Sequence, residues 1–323
     1  MKFKILIILG PTASGKSDLA VKLAQQWNGE VISADSRQVY KGLDIGTGKI
    51  TKEEMQGIPH YCLDIADPRD RFTVVDWKEK ARQAILDIHN RGKLPIICGG
   101  TGFYISALVD NLEIPDVSPN EDLRRELGEK SVEELFDILK RLDPVYAKKM
   151  ISGSRNGDDK NKRRLIRAIE IATSVQEKME GQRVCASQPV DESTSRMLPH
   201  EPSLHDHYDP IFIGVNISSE ELRKRIHKRL VDRIDIGMID EAKNLHKNGL
   251  SYERMNELGL EYRYLAEFLQ GKIDKDQLIE ILSTKIWQYA RRQKTWWRKD
   301  ERIKWFDPKN LIEKCAIDKQ LLM

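Results

Sequence analysis

Short apolar runs punctuate the first hundred residues, and each stops at a glycine or an acid before helical periodicity begins. Lys4–Leu9 is apolar and β-branched enough for a buried strand, and Lys16 to about Trp27 follows as a helix. Glu30–Ser33 predicts a second strand that ends at Asp35. Thr73 is placed as the N-cap of an amphipathic helix from Val74 to about Asn90, closed by Gly92. Leu94–Cys98, "LPIIC", predicts a further strand stopping at Gly99-Gly100. Strand, glycine turn and helix in alternation specify a parallel sheet with crossover helices. Ligands of such sheets sit at the carboxyl ends of the strands. The loops at residues 10–17, 34–38 and 99–104 are therefore expected to converge, although they lie far apart in sequence.

Beyond Pro115 the pattern turns helical and charged. Ser131 and Glu134 form a capping box for "SVEELFDILKRL", and "DKNKRRLIRAIEIA" continues as helix. Residues 180–208 hold Pro, Ser, Asp and His without periodicity and predict a long connection. "PIFIGVN" (210–216) returns to the strand pattern, and Ser218 with Glu221 opens another basic helix. Helix is expected through about Lys299, with "IKWFD" as a last strand.

At 40% hydrophobic and 33% charged residues the chain has material for a core and an abundant solvated surface. No window approaches the ~18 apolar residues of a membrane span. The N-terminal run meets a glycine loop rather than a cleavage site, so no leader is expected. Cys62, Cys98, Cys185 and Cys315 include no C-x-x-C pair, which argues against a zinc site or disulfide framework and for a reducing cytoplasm. The net charge of +3 is unevenly spread: residues 1–150 carry 22 Lys and Arg against 23 Asp and Glu, the remainder 32 against 28. The excess gathers in "KNKRRLIR" (160–167), "RKRIHKR" (223–229) and "ARRQKTWWRK" (290–299). One such run is usually a solvated helix face. Three in one half, one carrying Trp296 and Trp297, point to a polyanionic partner.

Gly10-Pro11-Thr12-Ala13-Ser14-Gly15-Lys16-Ser17 fits G-x(4)-G-K-S, with the strand before it and the helix after it that a phosphate-binding loop requires. Its glycines let successive backbone N–H groups line an anion nest at a helix N-terminus. Lys16 adds a cation for the terminal phosphates, and the Ser17 hydroxyl is placed to ligate Mg²⁺. The expected fold is therefore α/β: a P-loop parallel-sheet core with helices on both faces, interrupted by a helical insertion domain. The core takes residues 1–115 and 209–323, the insertion and long loop 116–208. Such a loop serves an ATP- or GTP-dependent kinase by default. Leu94–Cys98, however, ends in Gly-Gly-Thr and lacks the acid that normally helps to hold Mg²⁺ there. The strongest acid is instead Asp35, in "SADSRQVYKGLDIGTGK".

Five blocks, "GPTASGKS", "ISADSRQVYKGLDIGTGK", "ICGGTGFY", "KRRLIRAIEI" and "ARRQKTWWR", resemble in order those of bacterial tRNA dimethylallyltransferases (tRNA isopentenyltransferases), across roughly residues 4 to 300. The resemblance implies that the loop holds the diphosphate of dimethylallyl diphosphate. It implies that the five-carbon group moves to N6 of adenine 37, just 3′ of the tRNA anticodon. Asp35 then matches a general base for a poorly nucleophilic amine, and Thr101 a residue that orients this amine. Lys16, Mg²⁺ and Arg229 match the charge that stabilises the leaving diphosphate. Ser36, Arg37 and Gln38 match the segment that reads a flipped-out adenine. Arg163, Arg164, Leu165, Ile166 and Arg167, with Arg124 as a looser match, correspond to the stretch that grips the anticodon arm. "LGLEYRYL" (258–265) departs from the family pattern, and the connection at 176–208 has no assigned place. The implied partners are tRNA and dimethylallyl diphosphate, without a membrane, for a cytoplasmic monomer.

Three other readings stay open on the residues: a P-loop kinase of a small hydroxyl substrate, a prenyltransferase of free adenylate, and a non-catalytic tRNA- or nucleotide-binding relative. The "DSRQVYKGLDIGTGK" block disfavours the first. The basic runs and the helical insertion disfavour the second, and intact Lys16, Asp35 and Thr101 the third.

Overall fold

The computed structural model describes residues 3–112, 114–115, 117–152, 158–185 and 208–307. Six strands, β1 (Phe3–Leu9), β2 (Gly29–Ala34), β3 (His60–Tyr61), β4 (Leu94–Gly99), β5 (Tyr208–Val215) and β6 (Ile303–Phe306), form one sheet. Its order is β3-β2-β4-β1-β5-β6, and every pairing is parallel. β1 is central, with Leu9 level with Gly99 of β4 on one side and Gly214 of β5 on the other.

The unbroken apolar run of β1 follows from cover on both faces, since Ile5 to Leu9 are all buried. Ile5, Ile7 and Leu9 pack into a core shared with Trp77 and Ile85 of α3 (Val74–Asn90). Leu6 and Ile8 point the other way, into a core with Leu19 and Leu23 of α1 (Lys16–Trp27). Each side chain buried this way contributes ~1.5–3 kcal/mol. Helices thus lie on both faces of the sheet, as expected. α2 (Lys52–Met55) and the two-residue β3 were not expected, being too short for either periodicity to register.

The chain divides into two compact units, Met1–Leu112 with Glu201–Met323, and Glu113–His200. The second contains α5 (Glu121–Gly128), α6 (Val132–Leu142), α7 (Pro144–Ser152) and α8 (Lys162–Cys185), gathered on Leu127, Leu135, Leu139, Leu165 and Ile169. The Ser131–Glu134 capping box starts α6 as expected. α8 runs on to Cys185, so residues 180–185 are helical rather than part of an irregular connection. The rest of that connection, 186–207, lies outside the described residues, as does Cys315. Cys62 and Cys98 are buried free thiols. Among the described residues no helix is long and apolar enough to cross a membrane.

In the first unit α4 (Gly102–Val109) follows β4, and β5 leads into α9 (Ser219–Asp235), α10 (Met238–Lys247), α11 (Tyr252–Leu258), α12 (Leu260–Leu269) and α13 (Lys275–Trp297). The variant "LGLEYRYL" segment forms the α11–α12 corner, where Gly259 has φ +73 and the side chains of Glu261 and Tyr262 turn inward. α13 buries Leu278, Leu282, Ile286, Ala290, Gln293 and Trp297 along one stripe. Gln293 is the polar member of that stripe, and its position leads to the site.

Candidate active site

The loop Gly10–Ser17 joins the central strand to α1, at the carboxyl edge of the sheet. Ala13 (φ +62) and Gly15 (φ +89) take the left-handed conformation that turns the chain around an anion nest. Gly10 has a different reason to be glycine: a Cβ there would sit 3.0 Å from Ser14 Oγ and 3.3 Å from the Val215 carbonyl. Ser14 is fully buried, and its hydroxyl has no hydrogen-bond partner. Gly15, the N-cap of α1, supplies no side-chain cap, which leaves the first-turn N–H donors for a ligand. Lys16 folds back so that Nζ donates to the Pro11 carbonyl at 3.4 Å, a long contact that a phosphate can displace. Burial lowers the Lys16 pKa, against the pull of Asp35.

Asp35, at the end of β2, accepts the backbone N–H of Arg37 at 2.8 Å and of Gln38 at 3.4 Å through Oδ1. The β2 and β4 loops are tied together. Thr101 N–H donates to the Ala34 carbonyl, and Ser36 N–H donates to Thr101 Oγ1 at 3.2 Å. Thr101 occupies the N-cap position of α4, but its hydroxyl makes no capping bond; it serves the neighbouring loop. Gln38 Nε2 and Arg229 Nη2 both donate to the Gly48 carbonyl, at 3.3 and 2.8 Å. Burial, with Arg233 close by, lowers the Arg229 pKa. Thr12, Lys16, Ser17, Asp35, Gln38 and Arg229 line one cavity. A second, of about 310 Å³, shares Lys16, Ser17 and Arg229 and adds Arg225 and Lys228. The three distant loops therefore converge as expected, with a carboxylate and two desolvated cations around one space.

The other candidates are distributed differently. Arg163 and Arg164 are exposed on α8. Leu165 is fully buried in the core of the second unit, and Ile166 packs against that core. Arg124 and Arg167 both hold the buried Glu170 carboxylate, Arg124 through two bonds of 2.9 Å, and Arg167 also reaches the Val117 carbonyl at 2.8 Å. The run 223–229 is largely paired along its own helix: Lys224 with Glu220, Arg225 with Glu221 and Lys228 with Asp232. Arg229 alone of that run makes the bond to Gly48. In 290–299, Trp297 is core and Lys294 donates to the Ile217 carbonyl, whereas Arg291, Arg292 and Trp296 are exposed.

Residues that sequence reasoning missed hold the loops in place. The Gln293 amide accepts Thr12 N–H at 2.8 Å and donates to the Gly100 carbonyl at 2.9 Å. Arg233 donates to the Gly46 carbonyl at 2.8 Å and pairs with Glu261 at 3.3 Å. The Glu241 carboxylate accepts the N–H groups of Asp44, Ile45 and Gly46. The available signal was a polar residue at core spacing, Gln293 in the α13 stripe and Arg233 beside Leu230 and Ile234.

Fold and loop together define a P-loop α/β protein. The IPP transferase family model matches residues 38–300, a span that begins after the P-loop and so does not rest on it. The chain belongs to that family. It is 38% identical over 327 residues to a tRNA dimethylallyltransferase of Thermoanaerobacter sp. (strain X514), covering 97% of this chain and 95% of that one. It is 40% identical over 303 residues to tRNA dimethylallyltransferase 1 of Geotalea uraniireducens, covering 94% and 90%. The crystal structure of the full-length tRNA isopentenylpyrophosphate transferase of Bacillus halodurans superposes with a TM-score of 0.67 at 34% identity, covering 98% of this chain and 95% of that one. A eukaryotic dimethylallyltransferase acting on tRNA gives 0.74 at 26% identity, covering 99% and 77%.

Proposed function

We propose that this protein transfers the dimethylallyl group from dimethylallyl diphosphate to N6 of adenine 37 in tRNA. The observation that carries the reading is the single cavity in which Asp35 stands with Lys16 and Arg229 at the strand ends, in a chain of this family. The diphosphate lies in the Gly10–Ser17 nest, with Lys16, Arg229 and the N-terminus of α1 as its positive pole. Ala20, Val31, Ile50 and Leu63 are the apolar members of the same lining, beside which the five-carbon tail is placed. The N6–C1 bond forms as the C1–O bond breaks. The diphosphate leaves with the bonding electron pair, and the N6 proton passes to Asp35. Thr101 Oγ1 accepts Ser36 N–H, which ties it to the loop of Asp35 and leaves its own O–H and a lone pair for the amine.

Among the described residues no cluster of three or more His, Cys, Asp or Glu is set to hold a metal. Ser17 as a lone hydroxyl donor fits Mg²⁺ that arrives largely on the diphosphate, as this ion usually does. When bound it neutralises charge on the leaving group. The exposed Arg163 and Arg164 contact phosphates of the anticodon arm, while Arg124 and Arg167 keep the helix that carries them in place. The protein acts as a cytoplasmic monomer.

Incubating unmodified tRNA with the protein, Mg²⁺ and dimethylallyl diphosphate, without ATP, and analysing the nucleosides by mass spectrometry tests the proposal. Adenosine 37 is expected to gain one C₅H₈ unit. Failure to modify any tRNA, or phosphate appearing on a product, overturns it.

A further inference from the structure

The ladder between β1 and β4 ends at the Leu9–Gly99 pair, and past that point the two chains separate into the phosphate loop and the loop that carries Thr101. One side chain bridges the gap. Gln293 Oε1 accepts Thr12 N–H at 2.8 Å, and Gln293 Nε2 donates to the Gly100 carbonyl at 2.9 Å. A reversed amide would set donor against donor and acceptor against acceptor, so the two loops fix its orientation. Gln293 is 5% exposed, between the core residues Ala290 and Trp297 of α13. Gly100 is shaped to it: a Cβ at that position would overlap Gln293 Nε2.

We propose that Gln293 is a positioning residue, which continues the β1–β4 register beyond the strands and so sets the distance from the bound diphosphate to the amine at Thr101. This rests on the reaction proposed above. Thr12 lies within the phosphate loop and Gly100 directly precedes Thr101, so a shift of either loop misaligns N6 and C1. Misplacement by about 1 Å costs on the order of 10²-fold in rate.

The test is a double-mutant cycle on Gln293→Leu and Gly100→Ala, read by single-turnover transfer at saturating donor and tRNA. Gln293→Leu removes both bonds at similar size, and Gly100→Ala expels the amide from the other side. Each is expected to slow the transfer step about 10–100-fold, while inorganic pyrophosphate and tRNA bind within about threefold of wild type by calorimetry. The double variant is expected to be no slower than the worse single one, because both act on the same bridge. Gln293→Met, which keeps the length of the side chain and has neither the acceptor for Thr12 nor the donor for Gly100, is expected to show the same loss; it replaces the leucine variant if that fails to fold. Multiplying losses in the cycle, or a transfer rate within about twofold of wild type for the folded variants, overturns the proposal. Wild type separates the two claims. Active wild type with equally active variants removes the bridge alone, whereas inactive wild type removes the reaction and the bridge with it.

Discussion

The Tyr262 hydroxyl donates to Glu241 Oε1 at 2.6 Å, and the same carboxylate accepts the N–H groups of three successive residues, Asp44, Ile45 and Gly46. α10 and α12 thereby hold the loop whose Gly48 carbonyl receives Gln38 and Arg229. Removing the acceptor from partly buried donors costs ~1–3 kcal/mol. Glu241→Ala is expected to lower unfolding free energy by about that amount in urea titration and to slow transfer. Tyr262→Phe deletes one bond and is expected to cost ~0.5–1.5 kcal/mol. Equal stability of Glu241→Ala and wild type would show that the loop holds itself.

At the opposite end of the sheet Glu30 is 1% exposed and receives Arg91 through two bonds of 2.6 Å, Lys93 at 2.6 Å and Tyr61 at 2.8 Å. The Arg91 bonds above all hold its pKa at about 2, below the ordinary 4.5. The folded state therefore resists protonation that the unfolded chain accepts. Its contribution is complete above the unfolded pKa and is lost as pH falls towards the folded one, and amounts to roughly 3 kcal/mol. Glu30→Gln is expected to melt lower at pH 7 and to flatten the loss of stability between about pH 5 and pH 2. Parallel acid-melting curves for the two proteins would contradict this role.

Among the basic residues of the second unit, position decides the outcome. Exchanging Arg163 and Arg164 together for Ala is expected to leave the melting temperature near wild type. It should reduce the log-log salt slope of tRNA binding by about 0.7–0.9 per lost phosphate contact. Arg124→Ala or Arg167→Ala instead strips one of several partners from a buried carboxylate, a change expected to cost ~1–3 kcal/mol. Thermal melts against salt-titrated binding separate the two classes, and an unchanged salt slope in the first would make those arginines plain surface.

Legibility followed the physics of each element. The P-loop could be read because holding phosphate demands glycine and lysine at fixed spacing, and β1 because a doubly covered strand is apolar throughout. Asp35 stood out on the residues only as an acid at a strand end and Arg229 not at all; the family resemblance supplied their roles, and the fold brings them to one cavity. The charge runs pointed to a polyanion, but a run records composition and not direction: Lys224, Arg225 and Lys228 pair with neighbours one turn away, whereas Arg163, Arg164, Arg291 and Arg292 are exposed. Gln293 sits inside a run dominated by cations, and only its spacing in the apolar stripe of α13 distinguishes it.

Asp35 is expected to matter for the chemical step and little for affinity. Asp35→Ala should reduce single-turnover transfer by ~10²–10⁴, the usual contribution of a general base, with tRNA binding within a few-fold of wild type. The Oδ1 bonds to Arg37 and Gln38 N–H offer a structural alternative. Asp35→Asn separates the two, because it keeps an oxygen for those donors and lacks a basic group. An active asparagine variant would assign Asp35 to the turn.

The phosphates in the loop are expected to belong to the prenyl donor and not to ATP. Lys16 is the loop's own cation, partly desolvated and resting on the Pro11 carbonyl until an anion displaces that contact. As C1–O breaks, negative charge grows on the diphosphate, so the lysine binds the transition state more tightly than the ground state. Lys16→Ala is expected to lose ~2.7–4 kcal/mol of transition-state stabilisation, or about 10²–10³ in rate, if it acts as a deleted oxyanion donor does. The donor already carries its leaving group, so wild type should transfer without ATP. Added ATP should compete weakly, since an amide nest recognises phosphate geometry and no base. Competition is measured by titrating ATP into the transfer assay at limiting donor, where the inhibition should vanish as donor rises. An absolute requirement for ATP would return the loop to its default use in a kinase.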